Sequence, residues 1–497
     1  MESEYFIGVD VGTGSVRSCL VNKSGRILRT AVKPIITYNP LADHYEQSSE
    51  EIWNVCCATI KEVTEGISAN NVKGIGFDAT CSLVAVDKNG DPVSVSTTGN
   101  RKQDIVLWMD HRANKEADFI NTTNHSCLKQ VGGKISLEME IPKLLWLKKN
   151  LNSECWQNAD RFFDLPDFLT WKATGSDSRS LCSVVCKWLY EASPDGGQWN
   201  KEFLKIIGLE DLAENNFHKI GNSIKAPGEP CGSGLSKSAA KQLNLLPGTA
   251  VGTSIIDAHA GGLGLIGCSE PNTSQAFNSR ISLICGTSTC HMAVHEEKHF
   301  VKGVWGPYYS AMIPALNRSV IVDELTKDIH MVPDFHGNRS PLADYKLRGM
   351  ISGLDLNSGE EQLAIIYLAT LQSLAYGTKH IIEVLEDEGY KFASILICGG
   401  LSKNRMFVQM QANIASKSVL IPHESESVLL GSAMLAATAA KQFSNLKAAI
   451  LTMAGKANIV QPTPNVSQYH EKKYLIFKKM LDDQREYRKI MENIDGE

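Results

Sequence analysis

The chain has no run of apolar residues approaching the ~18 needed to cross a bilayer, so no membrane partner is expected. It also has no basic N-terminal stretch followed by an apolar segment. MESEYFIGVD passes directly into a strand pattern, and a cytoplasmic location is the expectation. Charge of one sign is in short supply: 50 basic and 55 acidic residues leave a net charge of −5, which gives no drive toward nucleic acid or an anionic surface. The 13 cysteines are odd in number and form no CxxC pair or zinc-type spacing, which favours a reduced compartment over a disulfide framework. Cys182, Cys186, Cys285 and Cys290 keep apolar company. Two common nucleotide words are missing as well, since no GxxxxGK[ST] occurs and no GxGxxG follows the opening strand.

What is present is an ordinary globular composition, 43% apolar and 21% charged. A chain of 497 residues exceeds one compact core, and two domains of roughly 200 to 250 residues are expected. The first residues alternate apolar runs with turns, YFIGVDVG, VRSCLVN and RILRTAV, and predict three antiparallel strands. A similar unit returns at Ser279–Val294, SRISLICGTSTCHMAV. Its turn GTST nearly repeats GTGS of Gly12–Ser15, which reads as a duplicated domain. IVLWMDHRA (Ile105–Ala113) predicts a strand entering a helix, and Leu137 to about Leu212 a mainly helical stretch. TAVGTSIIDAHAGGLGLIG (Thr249–Gly267) reads as the passage into the second half, with glycines suited to close packing beside a ligand or to a hinge. Further on, Leu363, Ile366, Tyr367, Leu371, Leu374, Ile381, Ile382 and Leu385 fall at helical spacing before Gly389. Strand FASILIC, loop CGGLSKN, a helix, strand SVLIP and helix ESVLLGSAMLAATAA follow, and a charged helical tail from about Ser467 is expected on the outside.

Several of these words carry chemistry. In Ile7–Arg17, IGVDVGTGSVR, a strand-end carboxylate precedes a turn whose backbone N–H groups and hydroxyls suit phosphate. Asp10, Gly12, Thr13, Gly14, Ser15 and Arg17 are the candidates there, with Asp10 able to reach Mg²⁺ through water. A tight hairpin in which Asp10 caps amides is the competing reading. Gly286, Thr287 and Ser288 form a second such turn, and two turns could clamp a triphosphate between them. Gly399 and Gly400 offer flat backbone to a purine and Asn404 a nucleoside contact, or they are simply a strand-to-helix turn. Asp257 ends an apolar strand among small neighbours and is either a general base, for which an ordinary pKa of about 3.9 suffices, or a helix N-cap. His259 reads as structural. Asp78, Thr80, Cys81, Asp110, His111, Arg112 and Lys187 are polar groups in apolar runs that suit recognition of hydroxyls, or satisfied core groups.

Together VDVGTGSVR, GFDATCS, WMDHR, IIDAHAGG, ICGTST, PDFHGNRSP and CGGLSKN resemble the FGGY family of carbohydrate kinases over nearly the whole chain, most closely its ribulokinase-related branch. The resemblance implies an α/β protein of two ribonuclease-H/actin-like lobes flanking a deep cleft. Residues 1–250 would form the sugar-side lobe with the first phosphate loop, and 251–497 the nucleotide-side lobe. It implies ATP and Mg²⁺, with Asp257 as base and substrate contact, Asp10 with Thr13–Ser15 and Gly286–Ser288 at the phosphates, Gly400 and Asn404 at adenosine, and Lys187 with the Asp110 segment, His111, Thr80 and Cys81 at the sugar. D-ribulose to D-ribulose 5-phosphate is the implied reaction, with other pentuloses or polyols as alternatives; a homodimer is compatible with it. One departure stands out. After GVWGPYYSAMIP relatives carry a Glu-Gly-Gly-Gln-Ser-like word and a helix that supply a glutamate to the sugar and cover part of the nucleotide. Here only residues 315–332, with Glu324, fill that place, so a weakened or silent form that binds nucleotide or sugar is the rival expectation.

Overall fold

The structure, a computed structural model, describes residues 4–193, 196–268, 277–285, 289–295, 300–306, 308, 326–355 and 360–492. It divides into two compact units. The first comprises Met1–Gly267, Trp305–Met312 and Glu426–Gly455, and the second Cys268–Val304, Ile313–Ser425 and Lys456–Glu497. This partition does not follow a single cut at residue 250, because the chain returns to the first unit late.

In the first unit, β1 (Tyr5–Val11), β2 (Ser15–Asn22) and β3 (Ile27–Pro34) form the expected antiparallel meander. Helix α1 (Ser49–Val63) starts where the Ser48 hydroxyl accepts from the Glu51 N–H, and buries Ile52, Trp53, Cys56, Ile60 and Val63. Next, β4 (Val72–Ala79) adds parallel to β1, and the short strands β5 (Ala250–Val251) and β6 (Ile255–Ile256) add parallel to β4. Strand order is therefore β5-β4-β1-β2-β3, with β6 also on β4. Both faces of the interior strands are covered, with Ile7, Val9, Ile75 and Phe77 buried on one and Gly8 and Gly76 packed under a helix on the other. Between these elements the stretch expected to be helical is interrupted by short strands at Arg161–Asp164 and Ser178–Ser180, and IVLWMDHRA forms only the strand Ile105–Val106 before a helix that begins at Asn114. The connection to the site is made by α2 (Leu181–Lys187) and by α3 (Asp257–Ile266), which follows β6 directly.

One face of this sheet is closed by the helix Ser427–Ala439. Its backbone lies on glycines: a Cβ at Gly76 would stand 2.0 Å from the Ser432 carbonyl, and one at Gly8 2.3 Å from that of Leu429. It meets α3 in the same way, through Gly264 at 1.8 Å from the Ser427 carbonyl and Gly431 at 1.9 Å from that of Ala260. Gly264 of GGLGLIG thus serves helix-on-helix packing, and the Ser427–Ala439 segment completes the first unit rather than the second.

The second unit has strand order β8-β7-β9-β10-β11, formed by β7 (Arg280–Cys285), β8 (Thr289–Ala293), β9 (Ser394–Gly399), β10 (Ser418–Pro422) and β11 (Ala457–Val460). The hairpin β7-β8 with β9 parallel to β7 repeats β1-β2 with β4 parallel to β1. Helix α4 (Glu360–Asp387) buries Leu371, Ile382 and Leu385, while Leu363 and Tyr367 of the predicted stripe face out, 68% and 51% exposed. Helix α5 (Arg405–Ala415) lies next to it in sequence and in the core, and the charged tail helix α6 (Ser467–Glu492) is not peripheral: Tyr474, Phe477, Met480 and Leu481 join that core. Most of its charge lies on the outer face, which is why composition alone put it outside; Lys473 is a buried exception that donates to the Thr326 and Ile329 carbonyls.

The close helix-to-sheet contact makes a firm prediction: Gly76→Ala and Gly431→Ala should each destabilise the protein by about 3 kcal/mol, since backbone rather than a side chain must yield. Urea denaturation is the check, and a loss under about 1 kcal/mol would mean the helix can lift off.

Candidate active site

Three carboxylates meet at the carboxyl ends of adjacent parallel strands in the first unit. Asp10 ends β1, Asp78 lies directly across from it on β4, and Asp257 follows β6, whose Ile255 pairs with Asp78. Strand ends of this kind are where open α/β sheets present groups to ligands. Each carboxylate has a distinct setting. Asp10, 1% exposed, accepts from the Arg17 guanidinium at 2.7 Å from Nε, and Arg17 Nη1 reaches Glu426 at 2.7 Å. Asp78 takes the Ser432 hydroxyl on Oδ2, while its buried Oδ1 has no partner among the described residues. Burial and the neighbouring Asp10 push Asp78 well above the usual carboxylate range. Asp257 accepts from the Ala258 N–H at 2.7 Å. Burial, then Asp10, push it up to about 6, so the ordinary value expected from the sequence is not what this setting gives.

The turn after β1 is closed by Gly12 N–H donating to the Ser15 carbonyl at 3.0 Å. Thr13 is held from behind, its hydroxyl accepting from Trp108 Nε1 at 3.1 Å and its carbonyl from Gln47 Nε2 at 2.8 Å. Gly14 is exposed, and a Cβ there would meet nothing within 4 Å, so backbone is open to an approaching group. Arg17, grouped with this turn by sequence, is engaged with Asp10 and Glu426 instead of being offered to a ligand.

The residues singled out for hydroxyl recognition divide into two sets. Asp110 has both oxygens occupied, by the Tyr45 N–H at 2.7 Å and by Arg112 through its N–H at 3.0 Å and Nη2 at 2.7 Å. Arg112 also reaches Glu46 at 2.8 Å and lies over the Trp146 ring, and the three ionic side chains are fully buried. This is a structural ion triad that fixes the loop bearing His111, whose N–H donates to the Asp43 carbonyl at 2.9 Å. Thr80 bonds Ser82 through its hydroxyl at 3.2 Å, and the Cys81 thiol is pushed up to about 12 by burial. Lys187 is different: it is 5% exposed, lies 3.8 Å from Glu138 and stands 4.6 Å from the centre of the Trp305 ring. Its charge is felt both at Asp257 and at Glu140. Glu140 and Lys143, 3.3 Å apart and wholly buried, form an ion pair, and Glu140 Oε1 and Asp164 Oδ2 have no hydrogen-bond partner among the described residues. Burial lifts Glu140 to about 7, with Lys143 and Lys187 opposing, and lifts Asp164 well above its usual range.

In the second unit Gly399 (φ 88°) ends β9, and a Cβ on it would strike the Cys285 carbonyl at 2.2 Å, whereas Gly400 is open. Asn404 N-caps α5, accepting from Met406 and Phe407 N–H at 3.0 and 3.1 Å, and donates to the Tyr367 hydroxyl at 2.8 Å. Gly286, Thr287 and Ser288 lie outside the described residues, as does Glu324. β7, which leads toward that turn, ends at Cys285 opposite Gly399.

Sequence reading placed Asp78 only among hydroxyl-reading groups and missed Glu140, Lys143, Asp164 and Ser432. A signal for Asp78 was available: Ile7-Gly8-Val9-Asp10 and Ile75-Gly76-Phe77-Asp78 differ only at their third residue, and they pair residue for residue. Ser432 carried none, since 354 residues separate it from Asp78.

The chain matches the N-terminal domain of the FGGY family of carbohydrate kinases over residues 5–264 and the C-terminal domain over 315–440. It is 45% identical to a human FGGY carbohydrate kinase domain-containing protein over 541 positions, covering 98% of each chain. It is 38% identical to a D-ribulokinase of Saccharomyces cerevisiae, covering 89% of this chain and 73% of the yeast protein. Its fold matches the crystal structure of Plasmodium falciparum glycerol kinase with ADP at a TM-score of 0.75 and 16% identity, over 97% of this chain and 98% of that one.

If the Asp110 triad is structural, Asp110→Ala should cost about 3–5 kcal/mol of stability by stranding Arg112 in the core. Thermal or urea unfolding tests this, and a stable variant with a raised KM alone would instead put Asp110 on the substrate.

Proposed function

Since the chain belongs to the FGGY family of carbohydrate kinases, we propose that it transfers the γ-phosphoryl group of ATP to the terminal hydroxyl of D-ribulose, giving D-ribulose 5-phosphate. The observation that carries the reading is Asp257, a strand-end carboxylate raised to about 6 by burial and Asp10. A base must be ionised to accept the hydroxyl proton and works best with a pKa near the working pH, and Asp257 meets both conditions at neutrality. As the sugar oxygen attacks the γ-phosphorus, Asp257 takes its proton and ADP departs. Lys187 steadies the carboxylate, and together with Glu138, Glu140, Lys143 and Asp164 forms a buried polar wall suited to a polyhydroxyl acceptor. Open backbone at Gly14 would face the phosphates.

A divalent cation fits the same strand ends, because Asp78 Oδ1 is buried without a partner among the described residues beside the carboxylate of Asp10. Mg²⁺ held there would neutralise charge on the transferring phosphoryl group. Choice of D-ribulose within the family rests on similarity to the yeast D-ribulokinase.

A second reading has its own support. The human alignment runs to 541 positions whereas this chain has 497 residues, so a stretch of the relative faces nothing here. A form that binds nucleotide or sugar without turnover is the consequence if that stretch carries the glutamate expected near residue 315.

Purified protein should release ADP when D-ribulose is added, and activity confined to glycerol or xylulose would overturn the substrate assignment. Binding of ATP or D-ribulose in a thermal-shift titration with no ADP release would favour the second reading. Asp257→Asn should lower kcat by about a thousandfold with nucleotide affinity retained. Because Asp257 acts as the carboxylate, kcat/KM should fall as pH drops through about 6; a profile flat to pH 5 would exclude it as the titrating base.

A further inference from the structure

A cluster of soft donors lies beside the carboxylate site and is used by none of the chemistry above. Helix α2 places Cys182 and Cys186 one turn apart on the same face, 0% and 1% exposed. The first turn of α3 brings His259 to them, with its Nε2 at 3.6 Å from Cys186 Sγ. One donor atom from each of the three residues lies within 4.8 Å of the other two. The cysteines are both reduced, as are all 13 in the chain.

The spacing is that of ligands around one small ion. Zinc holds sulfur at roughly 2.3 Å and imidazole nitrogen at roughly 2.0–2.1 Å, and a tetrahedral angle then separates the two donors by about 3.5 Å. The observed 3.6 Å between Cys186 Sγ and His259 Nε2 is therefore already a tetrahedral edge. Charge favours the same occupant. Two thiolates cancel a divalent ion, so the complex is neutral and its burial is not opposed by a stranded charge. Two sulfurs and one imidazole select a borderline-soft metal over Mg²⁺ or Ca²⁺. The buried Nδ1 of His259 has no partner among the described residues, so nothing there fixes the ring against offering Nε2 to an ion.

We propose that Cys182, Cys186 and His259 form a Zn²⁺ site with three protein ligands and one open position. Binding displaces the two thiol protons to solvent and leaves His259 neutral. The site joins α2 to α3. Since α2 ends in Lys187 and α3 begins with Asp257, the ion would tie together the two helices that carry the steadying cation and the base. Zn²⁺ there acts as a positioning staple and not as a participant in phosphoryl transfer. The sequence gives no warning of it, because a CxxxC pair and a histidine more than seventy residues later match no zinc word.

The test uses the full chain, reduced and stripped of metal, titrated with Co²⁺ as a spectroscopic substitute. One equivalent should produce intense tetrahedral ligand-field bands with thiolate-to-cobalt charge transfer, and Zn²⁺ should bleach them. The charge-transfer intensity should fall by about half in Cys182→Ser and in Cys186→Ser, and the ligand-field bands should shift in His259→Asn. Absent bands, or bands unchanged in all three variants, overturn the site. X-ray absorption on the zinc-loaded wild-type protein needs no variant: a shell of two sulfurs with nitrogen or oxygen supports the assignment, and a shell without sulfur, or with sulfur alone, refutes it. Zn²⁺ should also raise the melting temperature of the wild type and not of Cys186→Ser.

Discussion

Desolvation of like charges organises the first unit. Asp10, Asp78 and Asp257 are drawn together at the ends of parallel strands, where water is scarce and Asp10 raises the proton affinity of both Asp78 and Asp257. Left alone the cluster would push the strand ends apart. Arg17 offsets Asp10, the Ser432 hydroxyl offsets one oxygen of Asp78, and the Ala258 N–H and Lys187 act on Asp257. Those partners come from a hairpin, from a helix late in the chain and from the segment that starts α3. The charge problem is therefore solved only when distant parts of the sequence have assembled, and the remaining imbalance is what tunes Asp257 toward neutrality.

The acceptor side shows the complementary strategy. The Asp110, Arg112 and Glu46 triad pairs its charges within itself and leaves Glu46 Oε2 as its one oxygen without a partner among the described residues, whereas Glu140 Oε1 and Asp164 Oδ2 are buried without one beside the Glu140–Lys143 ion pair. The first arrangement gives a rigid loop. The second leaves polar capacity that a hydroxyl-rich molecule could fill, and a molecule lacking those hydroxyls would leave the cost of burial in place.

Much of this was legible in the sequence wherever chemistry and local structure coincide. The strand-turn-strand words at Ile7–Arg17 and Ser279–Val294 announced two related sheets, and the pattern of strand pairing repeats as read. Asp257 was singled out as a carboxylate ending an apolar strand, with a helix N-cap as its other reading, and it lies beside the strand ends that carry Asp10 and Asp78. What could not be read was partnership across long separations. Arg17 looked like a phosphate ligand until Glu426 and Asp10 claimed it. Asp110 was open between hydroxyl recognition and a satisfied core group, and its pairing with Arg112 matches the second, while Asn404 serves as the cap of α5. The glycines of Thr249–Gly267 were read for close packing beside a ligand and a possible hinge, and Gly264 packs closely against a helix backbone instead, a role that its letter alone does not reveal.

The glycine grooves also bear on synthesis. The sheet of the first unit is specified by Ile256, yet the helix that covers Gly8 and Gly76 begins at Ser427, after most of the second unit except β11 and α6 has been made. A nascent chain emerging N-terminus first cannot finish the first unit before starting the second. Its central strands must wait on the ribosome with one apolar face bare for the time that some 170 residues take to emerge, tens of seconds at the slow end of the usual elongation rates. Exposed apolar strand face is the kind of surface that invites aggregation, and its cover is encoded late in the chain.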